Sequence, residues 1–181
     1  MSVQEAVPGR SPAGRAWRPR PAVRKTLLLV HVLASVGLVG EVWALVMLNL
    51  AATVTADAAL VEPAYRLMPV LVMSGGIPLS FIALATGIAL GLGSKWGVLR
   101  HRWVFAKLLL LVVVILFGAL LGQPEALAEA AADGTLPDTA RRWREVAVVA
   151  VQLAMLLAAT GLSIFKPRGR MPWPRRPDRR P

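Results

Sequence analysis

The sequence predicts an all-α protein, a four-helix transmembrane bundle, and three observations carry the prediction. Four apolar stretches, about 26–52, 67–93, 103–122 and 146–165, each reach the ~20 residues that cross ~30 Å of hydrocarbon. The 181 residues are 56% hydrophobic and only 17% charged, against about 25% charged in a soluble domain. No stretch alternates apolar and polar residues over the ~10 positions of a barrel strand, and a spanning backbone must then satisfy its polar groups as helix. The chain has no cysteine, which excludes a disulfide scaffold, thiol catalysis, iron–sulfur ligation and thiolate zinc sites.

The elements follow in order. Residues 1–25 hold Pro8, Pro12, Pro19 and Pro21 among six basic residues. Such a segment buries too little apolar surface to offset ordering and reads as a disordered basic tail. The membrane domain is expected over 26–165, and its first helix contains HVLASVGLVGEVWALVMLNL. Val54-Thr55-Ala56 ahead of Asp57 resembles a signal-cleavage site, but the apolar stretch far exceeds the ~7–15 residues of a signal. The second helix is interrupted by Ser74-Gly75-Gly76-Ile77-Pro78. A proline there removes a backbone hydrogen bond, so a packing kink is expected at Pro78. The third and fourth helices are plain apolar runs. Residues 166–181 repeat the proline- and arginine-rich character of the start and read as a second disordered tail.

Sixteen of the 21 Lys and Arg lie in the two tails and the 94–102 loop. Basic flanks stay inside, which places both termini and that loop in the cytoplasm and the protein in the cytoplasmic membrane. Asp57, Glu62, Glu125, Glu129, Asp133, Asp138 and Glu145 all fall on the other side. The net charge of +11 thus reports orientation and attraction to anionic lipid headgroups, at ~1 kcal/mol per basic residue. No nucleic-acid-binding fold or aromatic platform accompanies it.

Few ionisable side chains fall inside the spans, and each is a candidate site because burying it in lipid costs ~2.5–3.5 kcal/mol or more. His31 lies six residues past Lys25, about 9 Å along a helix. Imidazole serves as proton relay, metal ligand or haem ligand, and equally as an interhelical hydrogen-bonding group. Lys107 lies at similar depth on the third helix, where a lysine snorkels to the headgroups. Glu41 is ten residues beyond His31, about 15 Å toward the outer leaflet, with Trp43 beside it suggesting an aromatic belt. Asn49 and Gln152 add uncharged polarity. His101, the second histidine, is flanked by Arg100 and Arg102, whose charges disfavour a bound cation. No metal site is expected, and a haem through His31 and His101 is the weakest alternative. Gly37 and Gly40 on the first helix, and Gly87 with Gly91 on the second, have the small-residue character of close helix packing.

Two segments, HVLASVGLVG at 31–40 and SKWGVLRHRWVFAK at 94–107, carry a likeness to known sequences. The chain resembles a family of small, uncharacterised four-helix integral membrane proteins of actinobacteria. Ala64-Tyr65-Arg66-Leu67-Met68, Pro78-Leu79-Ser80 and Ala85-Thr86-Gly87 fit the family's middle elements. Trp96-Gly97, Arg100-His101, Trp103-Val104 and Lys107 fit its third-helix entry. The likeness covers about 31–110, with Leu38 where the family has tryptophan and Arg102 where it has an aromatic. It implies the four-helix fold, directs attention to His31, Arg100, His101 and Lys107, and implies no activity. A more distant likeness to copper-resistance D-type membrane domains rests on the early histidine and is analogy only.

Three functions follow as expectations. The first is a non-enzymatic structural or accessory component of the membrane, with a membrane-protein partner or a second copy. Another is a small transporter or ion-handling protein with a polar pathway at His31, Glu41 and Lys107. The last is a haem- or quinone-linked electron-transfer subunit.

Overall fold

A computed structural model describes residues 20–55, 57–93, 102–136 and 138–165. Residues 1–19 and 166–181 of the expected tails, and the loop bearing Arg100 and His101, lie outside the described residues. Within them the chain is all-α: α1 Pro21–Val54, α2 Ala58–Leu71, a π-helical turn Val72–Gly76, α3 Ile77–Leu92, α4 Arg102–Leu121, α5 Pro124–Ala132 and α6 Thr139–Phe165.

Helix α1 starts ahead of the apolar run, so residues 21–25 are helical where the composition suggested tail. Pro21 occupies the first helical position, where its missing N–H costs nothing and its fixed φ already suits the helix. The helix ends at Thr55, whose extended backbone donates its N–H to Ala51 O. Helix α2 likewise begins upstream of the apolar stretch, because the Asp57 side chain accepts the Ala59 N–H at 2.9 Å and caps it.

The second span is one continuous helix through α2, the π turn and α3. A kink was expected at Pro78, and a π turn lies immediately ahead of it at Val72–Gly76. The Ile77 N–H reaches back five residues to Val72 O, and Pro78 has no N–H for the carbonyls of Met73 or Ser74 behind it. A π turn absorbs one additional residue without ending the helix. Downstream, α6 is opened by Asp138, whose Oδ1 accepts the Arg141 N–H at 2.7 Å. Between α4 and α6 the short helix α5 packs on α2 through buried Leu127 and Ala131.

The four spans form a ring. α1 packs against α3 and α6, and α4 closes the ring against the same two. The core is thickest where the end of α1 meets α2, α5 and α6, around Leu45, Tyr65, Met68, Leu127 and Leu153. At the other end the seam between α1 and α3 buries small side chains, Ala34, Ala83 and Thr86. The outward faces are apolar, with Leu33, Val36, Phe81, Leu116 and Leu157 all exposed. Four of the helical stretches are long and apolar enough to cross a membrane, and the architecture is that of a four-helix transmembrane bundle.

Candidate functional site

Three polar side chains of the interior, His31, Glu41 and Gln152, are seated on glycines of the facing helix. Along the α1–α3 seam the numbering runs antiparallel. His31 lies against Gly87, Gly37 against Leu79, and Glu41 against Gly75 and Gly76. A Cβ at Gly87 would stand 3.1 Å from His31 Cε1, and one at Gly37 would stand 3.2 Å from Leu79 Cδ1. These glycines therefore let the two backbones approach, as the small-residue pattern predicts. At Gly40 nothing among the described residues lies within 4 Å of where its Cβ would stand. Gly91 is half-buried on α3.

His31 Nδ1 lies 3.0 Å from Ala83 O and 3.0 Å from Thr86 Oγ1. A carbonyl only accepts, so Nδ1 carries the proton and donates. The Thr86 hydroxyl spends its own proton on Ile82 O at 2.6 Å, which leaves its lone pairs for the same N–H. In its neutral form the ring would then keep Nε2 as its basic nitrogen. Lys107 on α4 is half-buried and near enough to act electrostatically on His31. The two ionisable groups expected at the same depth are thus brought together.

Glu41 is placed differently. It sits 20 residues from the start of α1 and 13 from its end, well inside the helix. Both carboxyl oxygens are buried and neither has a hydrogen-bond partner among the described residues. The carboxyl fills the hollow left by the glycines of the π turn: a Cβ on Gly76 would stand 2.7 and 2.9 Å from its two oxygens. Glu41 and His31 are about 15 Å apart along α1, so the structure does not bring them into contact.

The α4–α6 seam repeats the seating with a neutral group. Gln152 Nε2 donates to Val114 O at 3.2 Å, and a Cβ on Gly118 would stand 2.6 Å from that nitrogen. Asn49 donates to Leu45 O within α1 while its buried Oδ1 has no partner among the described residues.

A third polar group lies where α1 ends and α6 begins. Arg142 Nε donates to the Tyr65 hydroxyl at 3.2 Å, and its guanidinium also bonds Ala52 O. Arg144 reaches Leu121 O at 3.3 Å, and Arg141 donates to Gln123 Oε1 at 2.6 Å. Buried Glu145 accepts the Gln123 N–H at 3.2 Å. Two arginines of α6 thereby cap carbonyls at the ends of α1 and α4, where cations complement the helix dipole. Sequence reasoning missed this joint. Its signal was the Arg141-Arg142-Trp143-Arg144 run on a side otherwise poor in basic residues.

Among the described residues no three His, Asp or Glu side chains converge to hold a metal ion. His101 lies outside them, so a histidine pair for haem remains an expectation. Fold and seams together define a multi-pass helical membrane protein. The chain matches no protein-family model, no curated protein and no solved structure. The resemblance to the actinobacterial family accordingly rests on residues 31–110 alone.

Proposed function

We propose that the protein is a non-enzymatic structural or accessory component of the cytoplasmic membrane, of the four-helix family it resembles, with both termini cytoplasmic. One observation carries this reading. His31, Gln152 and Arg142 each spend their hydrogen bonds on a neighbouring helix of the same chain. Polar groups used in that way hold a bundle together. The basic tails add attraction to anionic headgroups, and a membrane protein or a second copy is the expected partner.

Purified protein in liposomes tests it. The expected result is proton and ion flux no higher than in protein-free vesicles, and no absorbance band of haem. Flux that disappears in His31→Ala, or a Soret band, would replace this reading with the ion-handling or electron-transfer one. The cysteine-free chain makes orientation direct to measure. Ser94→Cys should resist an impermeant maleimide added outside intact cells, and Asp133→Cys should react with it. The opposite pattern inverts the topology.

A further inference from the structure

We propose that Glu41 is a proton-binding site, its carboxyl held neutral against the glycines of the π turn. This goes beyond the structural reading, since none of the helix-joining contacts uses Glu41.

The argument begins with the two oxygens. An ionised carboxylate buried in hydrocarbon needs a counter-charge or several N–H donors, and Glu41 has neither among the described residues. Every element packed on α1 confirms the shortage. The π turn and α3 contain no ionisable residue at all. On α2 the titratable groups are Glu62, Tyr65 and Arg66, and on α6 they are Arg141, Arg142, Arg144 and Glu145. Arg142 joins Tyr65 to Ala52, which fixes the level of that group about 16 Å further along α1. His31, bonded to Ala83 O and Thr86 Oγ1, is about 15 Å the other way. Among the described residues no charged group of the packed elements lies at the level of Glu41.

Shape supports the same reading. Two consecutive glycines face the carboxyl, and a side chain on Gly76 would occupy its place. The hollow fits a carboxyl group rather than merely tolerating it. A proton suits such a hollow better than a metal cation, which needs about six oxygen ligands around it. π turns inside α-helices occur frequently at functional sites. Ser74 on the same turn spends its hydroxyl on Val70 O at 2.6 Å, so it does not answer the carboxyl.

A hydrophobic carbodiimide provides the test, because it adds to a protonated carboxyl. The acid's O–H adds across one C=N bond, and acyl transfer to nitrogen leaves a stable N-acylurea with nothing expelled. Full-length protein in nanodiscs should gain one adduct, mapped to Glu41, with a rate falling at least tenfold between mildly acidic and alkaline pH. Glu145 is also buried, but its Oε2 accepts the Gln123 N–H and Arg144 and Arg141 lie beside it, so it should label more slowly than Glu41. Glu41→Gln should lose the adduct and hold or raise the unfolding midpoint at neutral pH, where the wild type bears the cost of keeping the carboxyl neutral.

The sign of the pH effect is fixed. A carboxyl neutral in the folded state and ionised when exposed makes the folded state the one that binds more protons. Stability then falls as pH rises above the ordinary carboxylate range. The wild-type midpoint should show that fall, and Glu41→Gln should show less of it. An unlabelled Glu41, a pH-independent rate, or a large drop in midpoint for Glu41→Gln would each overturn the proposal. A paired design tests the seat. Gly76→Ala should slow labelling and lower the midpoint, yet leave the midpoint unchanged when Glu41 is already alanine. Equal loss in both backgrounds would show that Gly76 does not hold the carboxyl. Labelling slowed by sodium ions at constant pH would make the ligand a metal cation instead. Vesicle flux is a separate readout, so failure here leaves the structural reading standing.

Discussion

The α1–α3 and α4–α6 seams use one steric device with different chemistry. In each, a polar side chain rests on a glycine of the facing helix: His31 on Gly87, Glu41 on Gly76, and Gln152 on Gly118. The α4–α6 seam carries a neutral amide whose donor is satisfied by Val114 O. The α1–α3 seam carries two ionisable groups, of which His31 is satisfied and Glu41 is not. Satisfied polar contacts between membrane helices contribute modestly, ~0.6–2 kcal/mol. An unsatisfied one costs stability, so its presence points away from packing. Steric seating is therefore shared, and unmet hydrogen-bonding capacity at both carboxyl oxygens sets Glu41 apart from His31 and Gln152.

The contrast is open to direct attack. The largest effect is expected for Gln152→Glu, which replaces the donor to Val114 O with an acceptor in an apolar seam. It should lower unfolding free energy in detergent by about 3 kcal/mol, less at acidic pH where the acid is neutral. A loss under ~1 kcal/mol would mean that both seams tolerate a carboxyl alike. Gly118→Ala comes next, because its Cβ would stand 2.6 Å from Gln152 Nε2. Pushing the amide off its carbonyl should cost about 2 kcal/mol, recovered largely in a Gln152→Ala background. His31→Ala should cost about 1 kcal/mol, and His31→Gln, which keeps an N–H donor, should restore part of it. The smallest change belongs to Gly40→Ala, which meets nothing within 4 Å. It should leave stability unchanged or raise it by up to ~1 kcal/mol through helix propensity. A clear loss there would show that Gly40 packs against something outside this chain.

Much of the fold was legible because membrane spans are written locally, in runs of apolar residues. His31, Glu41 and Lys107 were legible for the same reason, since an ionisable residue stands out against such a background. Their partners were not. Whether Gly37 or Gly40 meets a neighbour depends on how α1 is rotated against α3, and no local pattern records that rotation. Gly76 read as part of a proline break, because its role depends on Glu41, 35 positions away. Gly118 lies in a run of leucines and valines and gave no sign of holding Gln152. The Arg142–Tyr65 contact spans 77 positions. Helix α5 is too short and too polar to announce itself by hydropathy, and only its buried Leu127 and Ala131 against α2 explain its place.

The π turn also sets a phase. Each residue turns an α-helix by about 100°, and the additional residue at Val72–Gly76 offsets α2 from α3 by that much. Tyr65 and Met68 point into the core because of the offset, and it presents the Tyr65 hydroxyl to Arg142. Deleting one residue from the turn would leave composition, hydropathy and length almost untouched. It would nonetheless rotate the whole of α2 away from its partners. Along this span a single-residue gap is therefore a graver change than most substitutions, and homologous sequences should keep the count there even where residues other than Gly75 and Gly76 change.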